Sequence, residues 1–135
     1  MSTKQNIVKR NGKVFVEDPL TDIVIGICFD VFNKIGAGFK EAYYEKCIEL
    51  SLLEKEIKFV KQLRVPVMFN NIQITTRKLD FLLEDRLILE LKVGETSKIT
   101  AFHQVQEYLK IKKLKLGLIA VFTTRGVKIK RVINL

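Results

Sequence analysis

The sequence predicts a domain of the α/β or α+β class, in which helices cover a mixed β-sheet. Its 135 residues suit a single domain, and 47% hydrophobic with 29% charged residues is a globular composition. A chain of this size buries enough surface to form its own core without disulfides or a structural metal. Apolar residues recur at helical spacing in some segments and at strand spacing in others, which predicts the element order ααβββαββ.

The first segment is predicted to lie outside the main domain. Residues 1–19 are polar and have no clear period, which indicates a short N-terminal arm or an edge strand at VFVED. The folded domain is expected over residues 20–135. The chain opens without the apolar segment of a secretory signal, and its longest apolar runs are far shorter than the ~20 residues of a membrane span. We therefore expect a cytoplasmic protein without a membrane partner.

Two helices open the domain. The first is predicted to begin near Thr21, with Thr21 or Asp18 as its cap, and its apolar face continues to Ile35. Glycines then interrupt the pattern. The second helix is predicted from Phe39 to Lys55, and Glu45 is assigned to its solvated side.

Five strands and one more helix follow. The strand-like segments cover residues 58–69, 74–83, 86–93, 115–122 and 127–135. Turns at Asn70-Asn71 and near Glu84 should join the first three strands into an antiparallel meander. A helix over Ile99–Lys112 separates them from the last two. The fourth strand is nearly all apolar and is predicted to be central, whereas the last alternates and should be more exposed.

Charge and cysteine content restrict the function further. Lysine and arginine number 24 against 15 acidic residues, giving a net charge of +9. This excess favours a polyanionic partner, nucleic acid first and an anionic membrane second. Cys28 and Cys47 have no zinc-binding or CxxC spacing, and the single His103 cannot complete a zinc site. Both cysteines are therefore interpreted as reduced packing residues.

The hairpin RKLDFLLEDRLILELKV, residues 77–93, carries the most informative pattern. If its loop has three residues, Leu83 lies opposite Leu87 and Asp80 lies opposite Glu90. If the loop has two residues, Asp80 lies opposite Leu89 instead. The three-residue loop is favoured because it brings the two carboxylates together, with Cβ atoms about 4.5–5.5 Å apart.

Opposed carboxylates on a sheet repel each other unless something neutralises them. A divalent cation would do so, and carboxylate oxygens with water are the ligands that Mg²⁺ accepts. Lys92 shares the face of Glu90 and adds a positive charge beside the pair. An acid pair, a cation and a lysine suit phosphodiester hydrolysis. The alternative is that these acids are solvated and paired with lysines.

The sequence also resembles a known family, the GxxExxY proteins. Gly38, Glu41 and Tyr44 in GFKEAYY fit the pattern that names the family, and the central hairpin and FHQVQEYLKIKKLKLGLIAVF resemble its later motifs. The resemblance covers roughly residues 20–133. The family is placed in the PD-(D/E)XK nuclease-like superfamily. This implies a restriction-endonuclease-like αβββαβ core, with one extra N-terminal helix and one extra C-terminal strand.

The resemblance implies roles for individual residues. Those similar to metal ligands are Glu41, Asp80, Glu90 and the carbonyl of Leu91. Those similar to the catalytic group are Asp80, Glu90, Lys92 and Gln104. Tyr108 lies one helical turn after Gln104 and resembles a supporting residue of the QxxxY element. Tyr44 lies one turn after Glu41, so its hydroxyl either holds that carboxylate or lies satisfied in the core.

The C-terminal part of the chain is strongly basic, with no acidic residue after Glu107. The predicted nucleic-acid contacts are Lys110, Lys112, Lys113, Lys115, Lys128 and Lys130. The alternative is that these lysines serve solubility. We expect a nuclease that uses Mg²⁺ or Mn²⁺ and acts on DNA rather than RNA. The rival function is an inactive nuclease fold that binds nucleic acid or another protein. A homodimer is a further alternative for its oligomeric state.

Overall fold

The computed structural model describes residues 5–94 and 98–135, and it confirms the predicted fold class. Ten elements are present in these ranges: β1 Asn6–Arg10, β2 Lys13–Glu17, α1 Pro19–Ile35, α2 Glu41–Glu54, β3 Phe59–Phe69, β4 Ile72–Leu83, β5 Leu87–Val93, α3 Lys98–Lys112, β6 Leu116–Thr123 and β7 Gly126–Ile133. From α1 onward their order is the predicted ααβββαββ. No helix within the described ranges is long and apolar enough to span a membrane.

The N-terminal segment contains a hairpin of its own. β1 and β2 pair antiparallel as a separate two-stranded sheet. Their turn is Asn11-Gly12, and both residues have positive φ (50° and 76°), as a tight two-residue hairpin turn requires. Val16 is 3% exposed and packs into the main core, which ties the hairpin to the domain.

The first two helices begin and end where local chemistry allows. Asp18 caps α1, because its carboxylate accepts the N–H of Leu20 at 3.0 Å. The same carboxylate accepts two bonds from Arg86, at 2.8 and 2.9 Å, which fix the start of α1 to the β4–β5 turn. α1 ends before Gly36, whose φ of 80° suits glycine. α2 begins at Glu41, two residues later than predicted.

The main sheet has the strand order β3-β4-β5-β6-β7. All neighbours are antiparallel except β5 and β6, which are parallel and are connected through α3. The prediction that the fourth strand of the sheet, β6, is central and buried is confirmed, because all eight of its residues are buried.

Helices cover both faces of the sheet and create two cores. α1 and α2 pack on one face, which we call the α1/α2 face, and α3 packs on the other, the α3 face. On the α3 face, Gly117 of β6 allows close approach of the helix. A Cβ atom at this position would lie 2.6 Å from Cγ1 of Val105. Glycine is therefore required by packing at this crossing.

Candidate active site

The predicted register of the β4–β5 hairpin is confirmed. Leu83 pairs with Leu87 and Phe81 pairs with Leu89, which leaves a three-residue loop over 84–86. Glu84 and Asp85 have positive φ (49° and 56°), so the loop reverses the chain tightly. Asp80 and Glu90 are thereby brought level on neighbouring strands.

The regular strand pairing is interrupted at Asp80, which leaves a local opening in the sheet. The ladder between β4 and β5 ends at Phe81–Leu89, and the ladder between β3 and β4 omits the pair of Gln62 and Asp80. Gln62 has a left-handed backbone, with φ of 57°. Side chains on a regular strand alternate, so Leu79 would share a face with Phe81. Instead, Phe81 lies in the core of the α1/α2 face and Leu79 in that of the α3 face.

The two carboxylates occupy this opening and bond to the main chain. The N–H of Asp80 donates to Oε1 of Glu90 at 3.1 Å, and the N–H of Leu91 donates to Oδ2 of Asp80 at 2.8 Å. The N–H and C=O of one residue point to the same side of a strand. The carbonyl of Leu91 therefore faces the same opening, where the resemblance placed it as a ligand.

Burial and mutual repulsion make the pair electrostatically unusual. Glu90 is 3% exposed. Burial, and then the charge of Asp80, hold the pKa of Glu90 well above its ordinary value. Burial is also the first cause that raises the pKa of Asp80, and the charge of Glu45 adds to it. The charge of Asp80 opposes ionisation of Glu90, so the pair resists carrying two negative charges at once.

Lys92 borders the pair, and Glu41 lies within electrostatic range of it. The predicted three-acid metal cluster of Glu41, Asp80 and Glu90 is not formed among the described residues. The Nζ atom of Lys92 lies 3.9 Å from Oε2 of Glu90, and its charge favours ionisation of Glu41, Asp80 and Glu90. Glu41 lies in the first turn of α2 and is half-buried. Burial, and next the charge of Asp80, raise the pKa of Glu41. Glu41 thus interacts electrostatically with the pair from a different element of the fold.

The two predicted residues of α3, Gln104 and Tyr108, differ in their contacts with the site. Tyr108 is buried, and its hydroxyl donates to the carbonyl of Lys78, two residues before Asp80 on β4. Burial, and then the charge of Glu90, raise the pKa of Tyr108. Gln104 lies one turn earlier on the same helix face and is half-buried. Tyr108 therefore supports the strand that carries Asp80, while the Gln104 side chain makes no hydrogen bond to the pair among the described residues.

Tyr44 takes the second of its two predicted roles. Its hydroxyl donates to the carbonyl of Gly36 at 2.8 Å, and its ring stacks on Phe122 with centroids 4.2 Å apart. The ring is buried in the core of the α1/α2 face. Tyr44 therefore fixes the loop before α2, which in turn positions Glu41, and it does not bond to Glu41 directly.

Glu45 is a site residue whose predicted position was wrong. Its side chain is 13% exposed rather than solvated, and it accepts a 2.6 Å hydrogen bond from Nε2 of Gln62. Lys61 lies 3.6 Å away. Glu45 follows Glu41 by four residues, so both project from one helix face, and this spacing is the signal that could have found it.

The chemistry of the donor set fits a divalent cation. Each carboxylate uses one oxygen to accept a backbone N–H and keeps another oxygen, and the raised pKa values show how poorly two bare charges are tolerated. Within residues 5–94 and 98–135, no three His, Cys, Asp or Glu side chains are close enough to form a metal cluster. Mg²⁺ suits such a site, since it is often held by one or two carboxylates and several waters.

The basic residues divide between the two ends of the sheet. Lys92 pairs with Val121 and Val121 with Lys128, so Lys128 lies in the row of Lys92, about 10 Å away. Lys130 lies in the row of Glu90, with its Nζ atom 5.1 Å from the centre of the Phe102 ring. The remaining four lysines, Lys110, Lys112, Lys113 and Lys115, lie at the end of α3 and the start of β6. Because β5 and β6 are parallel, that region is at the opposite end of the sheet from Lys92.

Comparisons with known proteins identify the superfamily and support the fold. The family model described as the PD-(D/E)XK nuclease superfamily matches residues 18–132. A solved structure titled "Crystal structure of SSO0001" has a TM-score of 0.50 and 12% sequence identity, covering 87% of this chain and 79% of that chain. This likeness concerns the fold alone. No curated protein that was compared matches the chain in sequence. On the family match over nearly its whole length, the chain belongs to the PD-(D/E)XK nuclease superfamily.

Proposed function

We propose that the chain is a divalent-metal-dependent nuclease of the GxxExxY type that hydrolyses phosphodiester bonds, preferably in DNA. The observation that carries the proposal is the carboxylate pair of Asp80 and Glu90, buried in an opening of the sheet with Lys92 beside it. A buried pair of acids with raised pKa values costs stability. A structural role does not need that cost, whereas a cation site does.

Asp80 and Glu90 would hold the metal, with the carbonyl of Leu91 facing the same opening. Bound there, Mg²⁺ or Mn²⁺ would offset charge on the phosphate and lower the pKa of a water. Glu41 would contribute through a bound water, because it forms no three-acid cluster with the pair among the described residues. Nucleases of this superfamily generally use divalent metals.

Lys92 is proposed to position the attacking water or the phosphate. Its Nζ atom lies near Glu90, and about a third of its side chain is exposed, so it can reach a substrate. Gln104 would help to orient the phosphate from α3. Lys128 and Lys130, in the rows of Lys92 and Glu90, would hold the nucleic-acid backbone near the site.

The proposal is tested by cutting assays on supercoiled plasmid, single-stranded DNA and RNA with Mg²⁺ or Mn²⁺. We expect cleavage by the wild type and a loss of about a hundredfold or more in Asp80→Asn and Lys92→Met. Asp85→Asn is the matched control, because Asp85 is 66% exposed on the neighbouring loop. No metal-dependent cutting by the wild type, or equal cutting by Asp80→Asn, would contradict the catalytic proposal.

A second candidate function is a nuclease fold that binds nucleic acid without cutting it. It is favoured by one observation, that within the described residues no three acidic, histidine or cysteine side chains form a metal cluster. This candidate predicts salt-sensitive binding that does not depend on metal. It also predicts that Lys128→Gln with Lys130→Gln weakens binding, whereas Asp80→Asn binds as well as the wild type.

A further inference from the structure

The β3–β4 hairpin extends beyond the rest of the sheet. β3 and β4 have 11 and 12 residues, whereas β5 has 7, and β4 pairs with β5 only from Phe81 to Leu83. Over residues 66–76, which we call the hairpin tip, the two strands pair only with each other. All residues of the tip except Val67 are exposed. The tip thus projects by about 15 Å, at ~3.3 Å per residue.

The hairpin tip exposes large apolar side chains on both sides of a polar turn. Its four large apolar side chains are 52–67% exposed; they are Met68, Phe69, Ile72 and Ile74. Asn70 and Asn71 form the turn between them, with φ of 49° and 64°. Phe69 and Ile72 are direct cross-strand partners on either side of this turn. Phe69 and Ile72 therefore form an exposed apolar pair at the end of the hairpin, which suits a binding surface.

Two unmatched cations lie at the base of the tip. Arg64 and Lys78 are exposed and directly opposed on β3 and β4, an arrangement that is destabilising unless an anion lies near. Neither forms an ion pair with a described residue, whereas Lys61 and Arg77 on the same hairpin do. The sequence has no acidic residue from Ile57 to Leu79. This charge pattern favours a polyanion over a second copy of a chain that itself carries a charge of +9.

The hairpin leads directly to the candidate active site. Lys78 precedes Asp80 by two residues on β4, about 7 Å along the strand. A nucleic-acid strand that reached Asp80 along β4 would therefore pass the cations Arg64 and Lys78. The apolar tip would lie on the far side of those cations, where it could meet bases.

We infer that the β3–β4 hairpin binds nucleic acid at a junction between duplex and single strand. Arg64 and Lys78 hold the phosphates, Phe69 stacks on a base face that becomes free where a duplex opens, and Ile72 packs against it as an apolar wedge. This inference rests on the proposed function only in taking nucleic acid as the ligand. It adds a substrate class, a forked or frayed duplex, and a surface outside the site of hydrolysis.

The test uses the full chain and a forked DNA duplex with 2-aminopurine at the junction, compared with a blunt duplex of the same length. Binding and base unstacking are followed by fluorescence in EDTA, which prevents cutting. The tip variant is Phe69→Ser with Ile72→Ser, and its matched control is Leu50→Ser with Leu53→Ser on α2, where exposure is 54% and 58%. The charge variant is Arg64→Gln with Lys78→Gln, and its control is Lys13→Gln with Lys55→Gln.

We expect the wild type to prefer the fork and to raise the 2-aminopurine signal. The tip variant should bind the fork about tenfold more weakly and lose the signal, while its control keeps both. The charge variant should reduce the slope of log K against log salt concentration by about two, because two phosphate contacts are lost. Equal binding of fork and blunt duplex, unchanged binding by the tip variant, or no DNA binding by the wild type would overturn the inference.

Self-association through the tip is the competing outcome. A wild-type dimer in sedimentation that dissociates in the tip variant, with unchanged DNA binding, would assign the tip to a second copy and overturn the inference. Since all binding is measured in EDTA, failure of catalysis and failure of the hairpin inference are separate results. A wild type that cuts DNA while its tip variant binds the fork normally would refute only the hairpin.

Discussion

Glu90 accepts the backbone N–H of Asp80 at 3.1 Å, although the two residues belong to neighbouring strands of the sheet. The reciprocal contact runs from the N–H of Leu91 to the carboxylate of Asp80. Side chains thus take the hydrogen bonds that the strand ladder would otherwise use. Two buried acids are thereby held side by side on a rigid part of the fold, and this arrangement leads to the following predictions.

Stability without metal should fall as pH rises. The pKa of Glu90 is raised by burial and by Asp80, so the folded state binds more protons than the unfolded state above the ordinary pKa of a glutamate. The stability linked to this proton is complete below that ordinary pKa and is lost as pH rises through the raised one, by about 1.4 kcal/mol for each pH unit that separates the two pKa values. Thermal unfolding of the wild type in EDTA across this range measures the loss.

Glu90→Gln is the informative variant for this pH dependence. It keeps the size and the acceptor oxygen of the side chain but removes its charge. Its melting temperature should change less with pH than that of the wild type, and in EDTA at neutral pH it should equal or exceed the wild-type value. A pH profile parallel to that of the wild type would contradict the assigned burial of the charge.

The Asp18–Arg86 pair should be a strong support of the fold. The Asp18 side chain is fully buried, and although burial alone would raise its pKa, hydrogen bonds from Arg86 and from the N–H of Leu20 lower it. Asp18→Asn should cost about 3 kcal/mol, because it leaves the Arg86 charge without its partner. Denaturant unfolding measures this cost.

The matched control for Asp18 is Asp30→Asn, since Asp30 forms an ion pair with Lys34 but is 54% exposed. This control should change stability by well under about 1 kcal/mol. The contribution of Asp18 is present above its ordinary pKa and should be lost as pH falls through its lowered pKa. Similar losses in the two variants would show that burial does not distinguish the pairs.

Gly117→Ala should destabilise the contact of α3 with β6. The added Cβ would lie 2.6 Å from Cγ1 of Val105, and overpacking of this kind costs about 1–3 kcal/mol. Adding Val105→Ala should recover part of the loss, because it removes the clashing methyl group. Gly26→Ala is the control: it lies within α1 with open space around its Cβ, and it should stabilise by about 0.5–1 kcal/mol. A Gly117→Ala variant as stable as the wild type would contradict this close packing.

Periodicity was sufficient to predict the order of elements, whereas the register of Asp80 with Glu90 was chosen from two loop lengths because it brings the carboxylates together. Both depend on local patterns, namely helical spacing, strand alternation and the length of one loop. The reversal of faces across Gln62 and Asp80 could not be predicted in this way. A left-handed backbone is unfavourable for glutamine, so the conformation of Gln62 is set by tertiary contacts such as its bond to Glu45.

Three further features of the structure were not predicted from local sequence patterns. The Asn11-Gly12 turn signal of the N-terminal hairpin was present in the sequence, but the short flanking strands hid its meaning. Lysines that are close in sequence from Lys110 to Lys130 lie at both ends of the sheet, because β6 carries the chain from one end to the other. Glu45 was predicted to be solvated because it lies off the apolar stripe of its helix, and only the fold shows that it is largely buried beside Gln62.

Calorimetric titration with Mn²⁺ tests the central claim most directly. We expect wild-type protein to bind the ion and to release a proton on binding at neutral pH, since the pKa of Glu90 is raised to about 8. Asp80→Asn and Glu90→Gln should lose this binding, while the exposed Asp85→Asn should keep it. Identical heats from the wild type and from both site variants would contradict the claim that Asp80 and Glu90 form a cation site.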